Sequence, residues 1–154
     1  MMDIGSSTGG FSDCALQNGS NKIVAVDVGT DIMHESLRNN EKIDLHEQTN
    51  IKDLEHKYFE NLDFISVDVS FISLSKIMEV VSSHNVNVDM MCLIKPQFEC
   101  GREIADKYKG IILNKEVHKE ILNKTIHMFN SYGFNLLNIS SSPIRGGDGN
   151  IEYI

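Results

Sequence analysis

Apolar residues fall along this chain in two rhythms. Residues 22–28 (KIVAVDV), 62–69 (LDFISVDV) and 88–94 (VDMMCLI) are short, nearly continuous apolar runs, the pattern of strands buried on both faces. Residues 42–46 (KIDLH) form a shorter strand candidate, and Pro96 halts the run that ends at residue 94. The other rhythm is helical. Ile32, Met33 and Leu37 predict a helix over 31–39, and Leu74, Ile77, Met78 and Val81 predict one over 73–84 with Ser73 as N-cap. The plainest stripe, Val117, Ile121, Leu122, Thr125 and Met128, predicts a helix over 116–132 ended by Gly133. Residues 134–139 and 150–154 read as the last strands, and 101–115 as a solvated loop.

Strand–helix alternation implies an α/β fold: a mainly parallel sheet with helices on both faces. Ligands of such sheets sit just past the carboxyl ends of the strands. A chain of 154 residues, 41% hydrophobic, suits one globular domain with an ordinary core. Its 14 Lys and Arg against 22 Asp and Glu leave a net charge of −8, the wrong sign for gripping nucleic acid unaided. No apolar run approaches the ~18 residues of a membrane helix. There is no basic-then-apolar leader, and Cys14, Cys92 and Cys100 form no CxxC pair. The expectation is a cytoplasmic protein with reduced thiols, no membrane partner and no metal.

Five positions lie where such a sheet binds its ligand. The opening stretch DIGSSTGGF brings Gly5, Gly9 and Gly10 together, residues whose missing Cβ lets backbone approach a ligand closely. Its G-x-x-x-G-G spacing is neither the dinucleotide G-x-G-x-x-G nor a P-loop. Asp27 ends the next strand, where a carboxylate accepts hydrogen bonds from a ribose diol. Asp68 in VDVSF, Lys95 in IKPQFE and Glu152 in GNIEYI are charges set among apolar neighbours, costly to bury without a function or a partner. Together they would make an acid–lysine–acid cluster.

DIGSSTGGF resembles the D-[LV]-G-x-x-x-G-G-[FW] loop of the FtsJ-type S-adenosylmethionine-dependent RNA methyltransferases. DVSFISL, IKPQFE and SPIRGGDGNIEYI are similar to one branch, the TlyA or hemolysin A proteins, which methylate ribosomal RNA at ribose 2′-hydroxyls. The resemblance runs from Asp3 to the end of the chain. It implies a Rossmann-like class I methyltransferase sheet of seven strands, mainly parallel, with 150–154 as the antiparallel last strand. It also implies that Asp3, Gly5, Gly9, Gly10 and Phe11 line the methionine side of S-adenosylmethionine. Asp27 would hold its ribose, Val28 would face its adenine and Asn50 would lie at the adenine edge. The family's catalytic set is a lysine, an aspartate, a second lysine and a glutamate, and Asp68, Lys95 and Glu152 match the last three.

The chemistry suits those residue types. A ribose 2′-hydroxyl is a poor nucleophile until its proton leaves; Lys95 would take or steer that proton, and the two acids would orient the lysine. Family members carry an S4-like RNA-binding module and a linker before the methyltransferase domain. Residues 1–154 are accordingly expected to be an N-terminally truncated methyltransferase domain, lacking that module and the first lysine. Arg102, Lys107, Lys109 and Arg145 would remain to meet phosphates of ribosomal RNA. The rival expectations are a catalytically impaired S-adenosylmethionine-binding remnant and a membrane-active hemolysin; the latter needs a membrane-inserting segment that the sequence does not display.

Overall fold

Strands too apolar for water must pair to satisfy their backbone, and four of the runs do, together with Met2–Ile4. In the computed structural model, which describes residues 1–146 and 149–154, β1 (Met2–Ile4), β2 (Ile23–Val26), β3 (Ile43–His46), β4 (Phe64–Val67) and β5 (Asp89–Cys92) form one sheet of order β3-β2-β1-β4-β5. Every pairing is parallel, with Asp3 opposite Ala25 on one side and Ser66 on the other. The strand order reverses between β1 and β4, which makes the carboxyl ends of those strands the switch point.

The chain divides into two units. The first is Met1–Val69 with Val80–Cys92 and holds the whole sheet. Its core gathers Ile23, Ala25, Met33, Leu37 and Ile43, with Ala15 and Leu16 of α1 (Gly10–Gln17) packed on it. The second is Ser70–Glu79 with Leu93–Ile154. It contains α4 (Pro96–Glu99), α5 (Arg102–Lys107) and α6 (Lys115–Ser131). The helix α3 (Leu74–Ser83) gives its first residues to the second unit and its last to the first.

Four expectations need correction. The helix predicted over 31–39 shrinks to α2 (Glu35–Arg38). Glu47 is the reason: its carboxylate accepts the N–H groups of Asp31, Ile32 and Met33 at 2.8, 3.0 and 3.2 Å, holding them outside a helix. Residues 101–115 are not all loop, since Arg102–Lys107 coils into α5. Residues 134–139 form no named strand; Leu136 and Leu137 are 50% and 84% exposed, so nothing rewards pairing there. Residues 150–154 form no continuous strand among the described residues either. Tyr153 alone bridges, antiparallel, to Ile94 and to Ser141. By contrast, α6 keeps the predicted stripe, with Asn114 capping the N–H groups of Glu116 and Val117, and Gly133 following at φ 86°.

Candidate active site

In the first unit the sheet ends in bare backbone. Gly5 follows β1 at φ 80°, and its N–H donates to the Val26 carbonyl at 2.8 Å. A Cβ there would overlap the Asp68 carbonyl, so no larger residue fits. Gly9 turns the chain into α1 at φ 97°, and a Cβ on it would strike the Leu37 side chain. Gly10 differs. A Cβ on it would meet nothing within 4 Å, which leaves open space over the start of the helix. Between them the Ser6 hydroxyl is buried with no hydrogen-bond partner among the described residues.

Asp27 stands just past β2. Its Oδ2 accepts the Ser7 N–H at 2.8 Å and its Oδ1 the Gly29 N–H at 2.7 Å. Each oxygen retains a lone pair. Val28 and Ile32 beside it are 70% and 40% exposed. The Asp27 carbonyl accepts from Thr49, which ties in the next residue, Asn50, whose Oδ1 caps Lys52. Glu47 anchors this wall from behind, adding a bidentate pair from Arg38 at 2.8 and 2.9 Å. Burial alone would push the Glu47 carboxyl up, but its donors outweigh it and hold the group at about 2. Sequence reasoning missed Glu47, because its partners lie outside any motif.

Two of the expected cofactor residues sit elsewhere. Asp3 has no exposed surface; its oxygens accept from the Ser12 and Ser66 hydroxyls at 2.6 and 2.8 Å. Burial raises its pKa, and those hydroxyls only partly offset it. Asp3 therefore braces the loop from beneath. Phe11 lines a cavity of about 640 Å³ shared with Met1, Cys14, Phe64, Ser66 and Met91, on the face of the sheet where α1 lies. Asp68, the third acid of this unit, follows β4, and its N–H donates to the Ile4 carbonyl at 2.9 Å.

The second unit presents Lys95 and Glu152. Lys95 is half-buried at the N-cap of α4, and its Nζ donates to the Ser70 hydroxyl at 3.0 Å. Pro96 starts the helix where its missing N–H costs nothing. At the other end of α4, Glu99 accepts the Ser73 hydroxyl and the Leu74 N–H, each at 2.7 Å. Glu99 thus caps α3 from outside that helix. The loop between these anchors carries Phe71 at φ 63° and 91% exposed, its ring 4.9 Å from Phe98. A bulky non-glycine residue held in the left-handed region is uncommon.

Glu152 is 7% exposed, and its Oε1 accepts the Gln97 amide at 3.2 Å. Its neighbours clamp it. Asn150, 2% exposed, accepts the Ile112 N–H and donates to the Gly110 carbonyl, both at 2.9 Å. Tyr153 meets His118 Nδ1 at 2.7 Å, while His118 Nε2 lies 2.7 Å from the Ile112 carbonyl. A carbonyl only accepts, so Nε2 carries the proton and Nδ1 accepts from the tyrosine. Of the expected phosphate-binding cations, Arg102 pairs with Asp106 at 3.7 Å and Arg145 donates to the Gly149 carbonyl at 3.0 Å.

The chain is 41% identical over 157 residues to Hemolysin A of Brachyspira hyodysenteriae, covering 99% of this chain and 65% of that protein. It is 39% identical over 155 residues to the 23S rRNA (cytidine-2'-O)-methyltransferase TlyA of Campylobacter jejuni, covering 99% and 59%. A solved structure from Streptococcus thermophilus that carries a hemolysin name superimposes with a TM-score of 0.89 at 40% identity, covering 99% of this chain and 56% of that one. The chain therefore spans less than two thirds of the length of each of these relatives. The family model for FtsJ-like methyltransferases matches residues 1–154. By that match the chain belongs to the FtsJ-like methyltransferase family.

Proposed function

We propose that this chain is the cofactor-binding and catalytic core of an S-adenosylmethionine-dependent 2′-O-methyltransferase acting on ribosomal RNA in the cytoplasm. The observation that carries the reading is the first unit's loop. It combines bare backbone at Gly5 and Gly9, open space at Gly10, an orphaned Ser6 hydroxyl and the Asp27 carboxylate at the switch point of a parallel sheet. Those groups fit a nucleoside cofactor: Ser6 and backbone N–H groups for its polar tail, Asp27 for ribose hydroxyls, Val28 and Ile32 as an apolar rest for adenine, and Asn50 at its edge. Bound there, S-adenosylmethionine supplies a methyl group activated by a sulfonium. The name of the Campylobacter relative supports ribosomal RNA as the acceptor. Tyr153's antiparallel bridges support taking 150–154 as the last strand of a seven-stranded methyltransferase sheet.

In this reading Lys95 Nζ, steadied by Ser70, takes or steers the proton that a ribose 2′-hydroxyl loses. Asp68 and Glu152 orient the lysine and balance charge. The exposed Phe71 ring is a stacking surface for the base of the target nucleotide, and Phe98 backs it. Alignment of hydroxyl and methyl carbon supplies much of the rate. Among the described residues no helix is long and apolar enough to cross a membrane.

Calorimetric titration with S-adenosylmethionine and with NAD tests the core of this proposal. Binding of the first and none of the second is expected; binding of neither would reduce the chain to a remnant. Lys95→Ala in the native protein should abolish methyl transfer to ribosomal RNA and leave cofactor affinity nearly unchanged. Turnover at the unmodified rate would remove Lys95 from the reaction.

A further inference from the structure

Glu152 is held from two sides by groups that the proposed reaction does not name. Gln97 donates its Nε2 to Glu152 Oε1 at 3.2 Å, from a helix that begins immediately after Lys95. Gly146 lies against the same carboxylate; a Cβ on it would overlap Glu152 Oε1. Its N–H donates to the Asn150 carbonyl at 3.0 Å, so the loop is fastened two residues from Glu152.

We propose that Gln97 and Gly146 are positioning residues that set the orientation of the Glu152 carboxylate; this rests on the reading of Glu152 as part of the methyl-transfer machinery. The chemistry of the amide gives Gln97 its direction. An ionised carboxylate accepts and cannot donate, so it turns the NH₂ side of Gln97 toward itself and the carbonyl away. That carbonyl is buried with no hydrogen-bond partner among the described residues. An amide that leaves one end unpaired pays a desolvation cost, and the bond to Glu152 is what its other end obtains. Gly146 acts by absence. Because backbone approaches where a side chain would stand, the carboxylate has a wall on that side. The pair gives the glutamine of KPQFE and the first glycine of IRGG a part in the site.

The test is single-turnover methyl transfer to ribosomal RNA by the native protein and by Gln97→Met, Gly146→Ala, Glu152→Gln and the Gln97→Met/Glu152→Gln double variant. S-adenosylmethionine affinity by calorimetry and thermal midpoint are measured for each. Met keeps the length of Gln97 and loses the donor. Gln97→Met should slow transfer about 10–100-fold, the scale of a misplacement on the order of 1 Å, with cofactor affinity and thermal midpoint unchanged. The double variant should be no slower than Glu152→Gln alone, because the amide acts only through the carboxylate. Gln97→His, which restores a donor, should recover part of the rate. If Gln97→Met folds poorly, the rate and cofactor affinity of Gly146→Ala carry the test. An inactive Glu152→Gln beside a Gln97→Met and a Gly146→Ala at full rate overturns the positioning role and leaves the reaction intact. A Glu152→Gln at full rate removes Glu152 from the reaction itself.

Discussion

Asp27 in the first unit is held by backbone N–H groups two and twenty residues away, Gly29 and Ser7. Glu152 in the second is held by a side chain 55 residues earlier, and its neighbours Asn150 and Tyr153 by Ile112 and His118, 38 and 35 residues distant. The first arrangement is built from the ladder of a parallel sheet and two left-handed glycines. The second is built from side-chain bonds that cross the unit. A site assembled on backbone should tolerate polar substitutions and fail at glycines. A site assembled on side chains should fail at polar substitutions.

The largest effect is expected at Gly5→Ala. The substitution forces a side chain to φ 80° and drives its Cβ into the Asp68 carbonyl. Strain and overlap together are of the order of about 2–5 kcal/mol, a large part of a typical domain's stability. Urea unfolding should show that loss, and S-adenosylmethionine binding should vanish with it. Full stability in Gly5→Ala would break the claim that the first site rests on its backbone.

Asn150→Ala should come next, at about 2–3 kcal/mol, since it strands a buried N–H at Ile112 and a carbonyl at Gly110. Glu99→Ala should cost about 1–2 kcal/mol by uncapping α3. Hydrogen exchange at the Leu74 amide should then accelerate. Glu99→Gln keeps an acceptor for Leu74 and should restore most of the protection. If Glu99→Ala leaves that amide as protected as before, the second unit does not depend on its side-chain staples.

The same contrast decides what could be read in advance. The runs KIVAVDV and LDFISVDV announce strands because nearly every residue in them is apolar, and Asp27 and Asp68 stand at the strand ends they predict. The helix over 31–39 misled because its periodicity is real while Glu47, at least fourteen residues on, competes for its first N–H groups. Residues 134–139 carry strand-like residues, but propensity without burial does not pair them. Asp3 was visible as part of a motif; that it faces Ser12 and Ser66 follows only from the register of β1 on β4. Gln97 and Glu99 lay inside a motif already singled out. Their partners, Glu152 and the start of α3, are set by tertiary packing that no local pattern encodes.

Two carboxylates of the first unit sharpen the comparison by pH, with the smallest effects. Glu47 is held at about 2 against an ordinary value of 4.5. Its stabilising share is therefore complete above about pH 4.5 and is lost as pH falls toward about 2. Asp3 is shifted the other way, because burial disfavours its ionised form. It costs the folded state nothing below its ordinary 3.8, and the cost grows as pH rises above that value. Urea unfolding of the two variants at a series of pH values separates them. Glu47→Gln should flatten the acid limb of the stability curve, since the carboxylate that binds Asp31, Ile32 and Met33 is gone. Asp3→Asn should gain on the unmodified protein between about pH 4 and pH 7, because an amide still meets both serines and carries no charge to bury. If Asp3→Asn instead loses ground as pH rises, the ionised carboxylate is the form the loop requires. Its two hydroxyl donors would then outweigh burial, and the base of the glycine loop would rest on side chains as the second unit does.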